Sequence, residues 1–158
     1  MKSEAELETA YLLAKARGSK RPRGVDLSAA VIVVYYALFI AVCECFANLL
    51  VGTRKGIRDE AAWEQSYRMP DHRRIRVACK KSLAMMHFPE ELRDLAEFLM
   101  IAQYYRILAS YSPNPRFTRS DVLQHIEDAR KAINNLKNSN MHDRRAFITW
   151  LMLPERGS

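Results

Sequence analysis

The chain is poor in the residues that punctuate short elements. It has five glycines and six prolines in 158 residues, and no stretch alternates apolar and polar residues as a half-buried strand does. Cysteine is also sparse, at three, an odd count. Cys43 and Cys45 stand two apart, so on a helix they point to different faces and make a poor ligand pair, and Cys79 is isolated. All three read as reduced core residues of a cytoplasmic protein, with no disulfide or metal role. The four histidines never fall at metal-site spacing with a nearby carboxylate. There is no P-loop, no dinucleotide fingerprint, no G-x-S-x-G and no H-E-x-x-H, so no cofactor is expected. The opening MKSEAELETA lacks the shape of a signal peptide. Acidic residues are outnumbered, 18 against 25 basic, for a net charge of +7. That balance favours a polyanionic partner such as nucleic acid.

Only one long apolar run is present. Residues 27–51 read LSAAVIVVYYALFIAVCECFANLLV. Asp26 before it and Gly52 after it suit an N-cap and a C-terminal glycine, so the run reads as one helix. It is long enough to span a bilayer, which takes about 20 residues. Against that, Glu44 and Asn48 interrupt it, and Tyr35 and Tyr36 sit near its middle. A carboxylate inside a membrane is expensive. Basic residues flank both ends, so charge selects no orientation. The run therefore reads as the buried centre of a soluble bundle with no membrane partner. Glu44 and the tyrosine hydroxyls then need partners inside it.

The remaining segments read as helices around that centre. Residues 3–17 form the first, opened by a capping box of Ser3 and Glu6, with Leu7, Tyr11 and Ala14 on one face. GSKRPRG (18–24) is a basic loop, read as a solvated turn with phosphate contact as the alternative. A short amphipathic piece over 59–67 carries Trp63 and Tyr67, and Pro70 closes it. Asp71 caps a helix over 72–87 whose apolar face is Ile75, Cys79, Leu83 and Met86. Its other face is basic: Arg73, Arg76 and Lys80 align, with Arg74 and Lys81 alongside. This is the expected nucleic-acid-facing surface.

Pro89, Glu90 and Glu91 open a helix that runs to about residue 109, with Leu92, Leu95, Leu99 and Ala102 as its core stripe. One further turn brings Arg106 onto that stripe. An arginine on a buried face must be paired, at a cleft or at an interface. Thr118 or Ser120 caps a helix over 120–137, with Val122, Ile126, Ala129, Ile133 and Leu136 facing inward. Asp143 caps a last helix, 144–153, and the tail PERGS frays. The fold class is all-α: an up-and-down bundle of five to six helices around the central helix 27–51. The chain reads as a single domain, residues 1–158, with its core over 3–137.

Two pieces resemble the HEPN family of small helical-bundle proteins. SAAVIVVYYALFIA (28–41) resembles the family's small-residue stretch followed by Y-Y-A-x-F, matched by Tyr35, Tyr36, Ala37 and Phe39. LRDLAEFLMIAQYYRILASYSPN (92–114), followed by SDVLQHIEDARKAI (120–133), resembles its third helix with an R-x-x-A-x-Y ending and its last long helix. Arg106, Ala109 and Tyr111 match the ending; Glu127, Asp128 and Ala129 match the E-D-A run. The resemblance implies a bundle that pairs with itself. Active members cut RNA with an arginine followed four to six residues later by a histidine. The histidine moves a proton and the arginine stabilises the charged phosphate.

Here the fifth position after Arg106 holds Tyr111, and Ser112 and Pro113 follow. A tyrosine titrates near 10, a poor general base at neutral pH. For this form the resemblance implies binding or scaffolding more than cleavage. It also implies a nucleotidyltransferase-type partner of the toxin–antitoxin or defence kind, with Tyr111 as a modification target. Arg119 and His125 fit the arginine–histidine spacing by chance expectation. His72, His87 and His142 read as structural or solvated.

The expected protein is thus a dimeric, RNA- or partner-binding bundle with weak or no nuclease activity. Arg73, Arg74, Arg76, Lys80 and Lys81 carry phosphate, and Arg106 is paired with an acid such as Glu44. The alternatives are a metal-independent endoribonuclease using Arg106 with Tyr111, or with His125 after rearrangement, and a structural subunit that docks a protein on Phe147, Trp150 and Leu151.

Overall fold

The computed structural model describes residues 1–15 and 20–153, without the side chains of residues 82 and 83, and these residues form helices and no strands. In chain order they are α1 (Lys2–Ala14), α2 (Gly24–Leu50), α3 (Glu60–Tyr67), α4 (His72–Lys80), α5 (Ser82–Met85), α6 (Glu90–Tyr111), α7 (Arg119–Asn138) and α8 (Met141–Met152). The end of the first helix at residue 17, the start of the basic loop at 18–19, and the tail 154–158 lie outside the described residues.

Helix α2 packs against α1, α3, α6, α7 and α8. It is long and apolar enough to cross a membrane, and more than half of its most apolar stretch is buried among the other helices. Ala30, Val34, Ala37, Leu38 and Val42 are fully enclosed. The helix starts earlier than the apolar run suggests. Asp26 lies inside its first turn rather than capping it, and its carboxylate takes both Nε and a terminal nitrogen of Arg23 at 2.9 and 3.0 Å. An acid in the first turn is favourable beside the exposed N–H groups. At the other end Gly52 adopts φ 121°, a conformation that favours glycine, and its N–H closes on the Asn48 carbonyl.

Helix α1 corrects the capping box. It begins at Lys2 with Met1 as cap, and Ser3 is turned into the core with its Oγ unpartnered. The inward face is therefore Ser3, Leu7, Ala10 and Ala14, while Tyr11 is exposed.

The single helix expected over 72–87 is two. Asp71 does cap α4, accepting from the Arg74 N–H at 2.8 Å. The helix then stops at Lys81, whose ψ of 81° is not helical. A tertiary contact coincides with the break: Trp150 of α8 donates its Nε1–H to the Ala78 carbonyl at 3.3 Å, and the Lys81 ammonium lies over the same indole. A side chain that engages the carbonyl ladder is a standard cause of helix interruption. Met86 consequently points to solvent, with 68% of its surface exposed.

Helix α8 starts before Asp143. Asn140 is its cap, accepting from the Asp143 N–H at 2.8 Å. Phe147 and Leu151, expected on an outer apolar surface, are fully buried. Phe147 meets Phe88 edge to face at 5.4 Å. Burying a side chain of that size contributes about 1.5–3 kcal/mol. The core helices α6 and α7 follow the sequence pattern. Leu92, Leu95, Leu99 and Ala102 are buried on α6, and Val122, Ile126, Ala129, Ile133 and Leu136 on α7. Thr118 caps α7, accepting from the Asp121 N–H at 3.1 Å.

Candidate functional site

The stripe of α6 carries Arg106 against α2. Its guanidinium carbon sits 4.9 Å from the centre of the Tyr35 ring, a cation–π placement. The Nε is buried with no hydrogen-bond partner. No described carboxylate forms an ion pair with it. Leaving a guanidinium donor unpaired in a partly buried position costs free energy, so such a group usually has an anion to meet.

Helix α4 supplies the second member. His72 is its first residue, held there because Asp71 caps the helix. The His72 Nδ1 is 2.6 Å from the Tyr35 hydroxyl. Its ring stacks on Phe39 with centroids 3.7 Å apart and a tilt of 21°. Tyr36 meets it edge-on at 6.2 Å. Tyr35 and Phe39 are one turn apart on α2, so one face of that helix builds the slot that holds the imidazole.

The electrostatics are consistent across the cluster. Burial, reinforced by the Arg106 charge, holds His72 below its ordinary value, so the imidazole is neutral at pH 7. Burial pushes the Tyr35 phenol well up, against the pull of Arg106, so the hydroxyl keeps its proton. With both groups neutral, Tyr35 and Nδ1 share one hydrogen bond, in which either the phenol O–H or the Nδ1–H is the donor. In the tautomer whose Nδ1–H donates to the Tyr35 oxygen, Nε2 is unprotonated and can accept a proton, and a guanidinium beside it can stabilise a charged phosphate.

The expected basic face divides in two. Arg73 and Lys80 are exposed, and Arg76, one turn along from His72, lines a narrow crevice with Tyr35, Leu99 and Gln103. Arg74 faces α8 instead, its Nε donating to the Met152 carbonyl at 2.9 Å. Lys81 is drawn over Trp150, 5.4 Å from its centre. Arg74 and Lys81 thus tie α4 to α8, and Arg73, Arg76 and Lys80 remain on the side of His72.

The expected pairing of Arg106 with Glu44 does not form. Glu44 stands nine residues beyond Tyr35 on α2, about 13.5 Å along the axis. Its charged neighbours are Lys2, the N-terminus and Lys137; burial raises its pKa, and its Oε2 has no partner. Tyr111 is likewise apart from Arg106. It is 78% exposed and lies about 140° around α6 from the arginine. Arg119 donates to the Ala14 carbonyl at 3.2 Å, closing the C-terminus of α1, so it does not form a pair with His125. His125 is buried between Phe98 and Tyr105. His87 is exposed, and His142 lies beside Asp143 at 3.2 Å. Among the described residues, no group of three or more His, Cys, Asp or Glu side chains could hold a metal.

His72 is the residue that the linear pattern misses. It is 34 positions from Arg106, and only the packing of α4 on α6 brings both to Tyr35. No protein-family model, curated protein or solved structure matches the chain.

Proposed function

We propose that this is a HEPN-like RNA-binding protein, an up-and-down bundle around its central helix. In this reading it grips the phosphate backbone with Arg106, Arg76, Arg73 and Lys80. One observation carries it: Arg106 occupies a core-facing position over the Tyr35 ring with its Nε unpaired and, among the described residues, no carboxylate in an ion pair with it, while an outer arginine and lysine stand on the adjoining helix. A phosphate supplies the missing acceptor, and Arg is the side chain best suited to it. Binding through four cations should weaken steeply with salt, with a slope of about −3 in log K against log salt for single strands. A gel-shift titration of labelled RNA between low and moderate salt reads this. Binding that ignores salt, or that survives Arg76→Glu with Arg106→Met, removes the proposal.

A second reading is a metal-independent endoribonuclease, favoured by the neutral His72 next to Arg106. His72, rather than Tyr111, with Nδ1–H on the Tyr35 oxygen, then takes the 2′-hydroxyl proton on Nε2 as the 2′-oxygen attacks phosphorus; the P–O5′ bond breaks, the 5′-oxygen takes a proton from water or the imidazolium, and Arg106 stabilises the phosphorane-like transition state. Cleavage with metal chelated, lost in His72→Gln but retained in Tyr111→Phe, is the expected result. RNA that stays intact with the wild-type protein excludes it.

A further inference from the structure

With the helices as they stand, the Nε of Arg106 has no room to meet a phosphate. That nitrogen is buried, and the side chain as a whole is half-buried. The crevice that Tyr35 shares with α4 and α6, lined by His72, Arg76, Cys79, Leu99 and Gln103, holds about 10 Å³. That is space for one water at most. A phosphate does not fit there, and a forked contact from an arginine to a phosphate draws on neighbouring N–H groups of one edge of the guanidinium.

The element in the way is α4, and it has little of its own to hold it. It is nine residues long, below the roughly 12–15 at which an isolated helix becomes stable in water. Ile75 and Ala78 are its buried residues. Arg73, Arg74, Arg76 and Lys80 charge it with one sign, and no acidic residue lies within it. Arg76 and Lys80 stand one turn apart, an arrangement that repels. The residues that bound it are not helical: Asp71 is extended, with ψ 126°, and Lys81 has ψ 81°. Such element-terminal positions are where a hinge rotation is absorbed.

Helix α4 packs on α6 and α8. Its polar ties to α8 all fall on the last turn of that helix. Arg74 donates to the Met152 carbonyl at 2.9 Å, Trp150 donates to the Ala78 carbonyl at 3.3 Å, and Lys81 lies over the Trp150 ring. Helix α8 is itself anchored by buried Phe147, Ile148 and Leu151, so it is the fixed body and α4 the element held against it. At its other end α4 is held by His72, bonded to Tyr35 and stacked on Phe39. A segment with few buried residues and a handful of polar ties belongs to the low end of local stability. We infer that α4 is a hinged lid over the Arg106 centre, clasped shut by the last turn of α8, and that Arg106 offers its Nε to phosphate when the lid is raised. The role of Arg106 in this rests on the RNA-binding reading above; the lid and its clasp do not.

Hydrogen exchange and thiol labelling on the full chain test the lid. In the wild type, the amides of residues 75–80 should exchange at least about 10-fold faster than those at the centre of α2. Trp150→Phe keeps a ring against α4 and removes the indole N–H. It should speed exchange in α4 and labelling of Cys79 by about 5-fold, the weight of one hydrogen bond, and leave labelling of Cys43 on α2 unchanged. Arg74→Met removes the other hydrogen bond to α8 and should act in the same way, which keeps the test decisive if the Trp150 variant folds poorly. Amides of α4 as slow as those of α2, or Cys79 and Cys43 accelerated together, would show that α4 opens only with the whole bundle, and the lid falls. Loosening the clasp should also tighten RNA binding, because more of the protein is already open. Trp150→Phe should lower the Kd for labelled RNA by about 3- to 5-fold, and the gain should vanish in an Arg106→Met background. Faster α4 exchange with RNA affinity unchanged overturns the gating of Arg106 and leaves the RNA reading standing. Fast, clasp-dependent exchange in a protein that captures no RNA sinks the RNA reading and the gating with it, and supports the lid.

Discussion

Arg106→Met separates a structural arginine from a functional one. Met keeps the length of the apolar stem and removes the charge. In the folded chain the guanidinium gains a cation–π contact with Tyr35 at 4.9 Å, worth about 0.5–2 kcal/mol. It also leaves Nε buried and unpaired, at a cost of about 1–3 kcal/mol. The two effects nearly cancel. Arg106→Met should therefore change the unfolding free energy by less than about 1 kcal/mol, a Tm shift within about 4 °C for a chain of this size. Its loss from a phosphate site should instead reduce RNA affinity by about 10-fold or more, since a charge-assisted hydrogen bond contributes about 1.5–3 kcal/mol. Urea unfolding followed by circular dichroism reads the first quantity, and a filter-binding titration at fixed salt reads the second. An arginine that held the fold together through a buried ion pair would behave oppositely, costing about 3–5 kcal/mol on removal of one partner. Strong destabilisation with RNA affinity intact would refute the reasoning.

Other perturbations have equally definite signs. His72 and His125 are both held below their ordinary values by burial. Their folded values lie beneath the unfolded value near 6.5, so their contribution is present above that pH and is lost as the pH falls through the lowered values. Urea midpoints should drop between pH 7.5 and 5, and His125→Phe should flatten that dependence. Glu44 has the reverse shift, raised by burial, so its contribution is complete at low pH and is lost as the pH rises above about 4.3. Glu44→Gln should match or exceed the wild type in Tm at pH 7 and lose that advantage near pH 4. Phe147→Ala empties a fully buried site beside Phe88 and should cost about 3–5 kcal/mol by chemical denaturation. Burial pushes the Cys43, Cys45 and Cys79 thiols up to about 12, 11 and 12. All three should react with a disulfide reagent slowly in the native state and rapidly in urea.

Helical content was legible wherever one periodicity dominated a long segment. The stripes of α6 and α7 are spaced so regularly that Leu92, Leu99, Ile126 and Ile133 could be assigned to the core directly. Capping was legible where the side chain alone decides it, as at Asp71, and was narrowed to two candidates at Thr118 and Ser120, of which Thr118 is the cap. It failed at Ser3, Asp26 and Asp143, where several residues in a row could cap and packing chose among them. The break after Lys80 was invisible because its partner, Trp150, is 72 residues away in sequence from Ala78. The burial of Phe147 and Leu151 had the same origin: a short amphipathic helix shows which face is apolar, but not whether another helix covers it.

The site illustrates the same boundary between local and tertiary information. Arg106 announced itself because charge on a core stripe is a conflict within one helix, readable from spacing alone. Its neighbour did not, because His72 as the first residue of α4 violates no local rule. The sequence pattern therefore directed attention five residues onward to Tyr111, along the same helix, and nine residues beyond Tyr35 to Glu44. Both choices treat an unsatisfied arginine as a problem to be solved by the nearest plausible partner. The packing answers it only in part: Tyr35 lies under the guanidinium and simultaneously bonds the imidazole, while the Arg106 Nε stays unpaired. One α2 side chain thus couples two helices whose residues have no pattern in common. The coupling makes a testable distinction. Tyr35→Phe keeps the ring beneath Arg106 and removes only the hydroxyl at Nδ1. If Tyr35 serves both partners, this change should release the His72 ring, raise its NMR-detected pKa toward about 6.5, and leave Arg106-dependent RNA binding within about twofold. An unchanged His72 titration would mean that the hydroxyl does not hold the imidazole, and that burial and the Arg106 charge keep its value low without that bond.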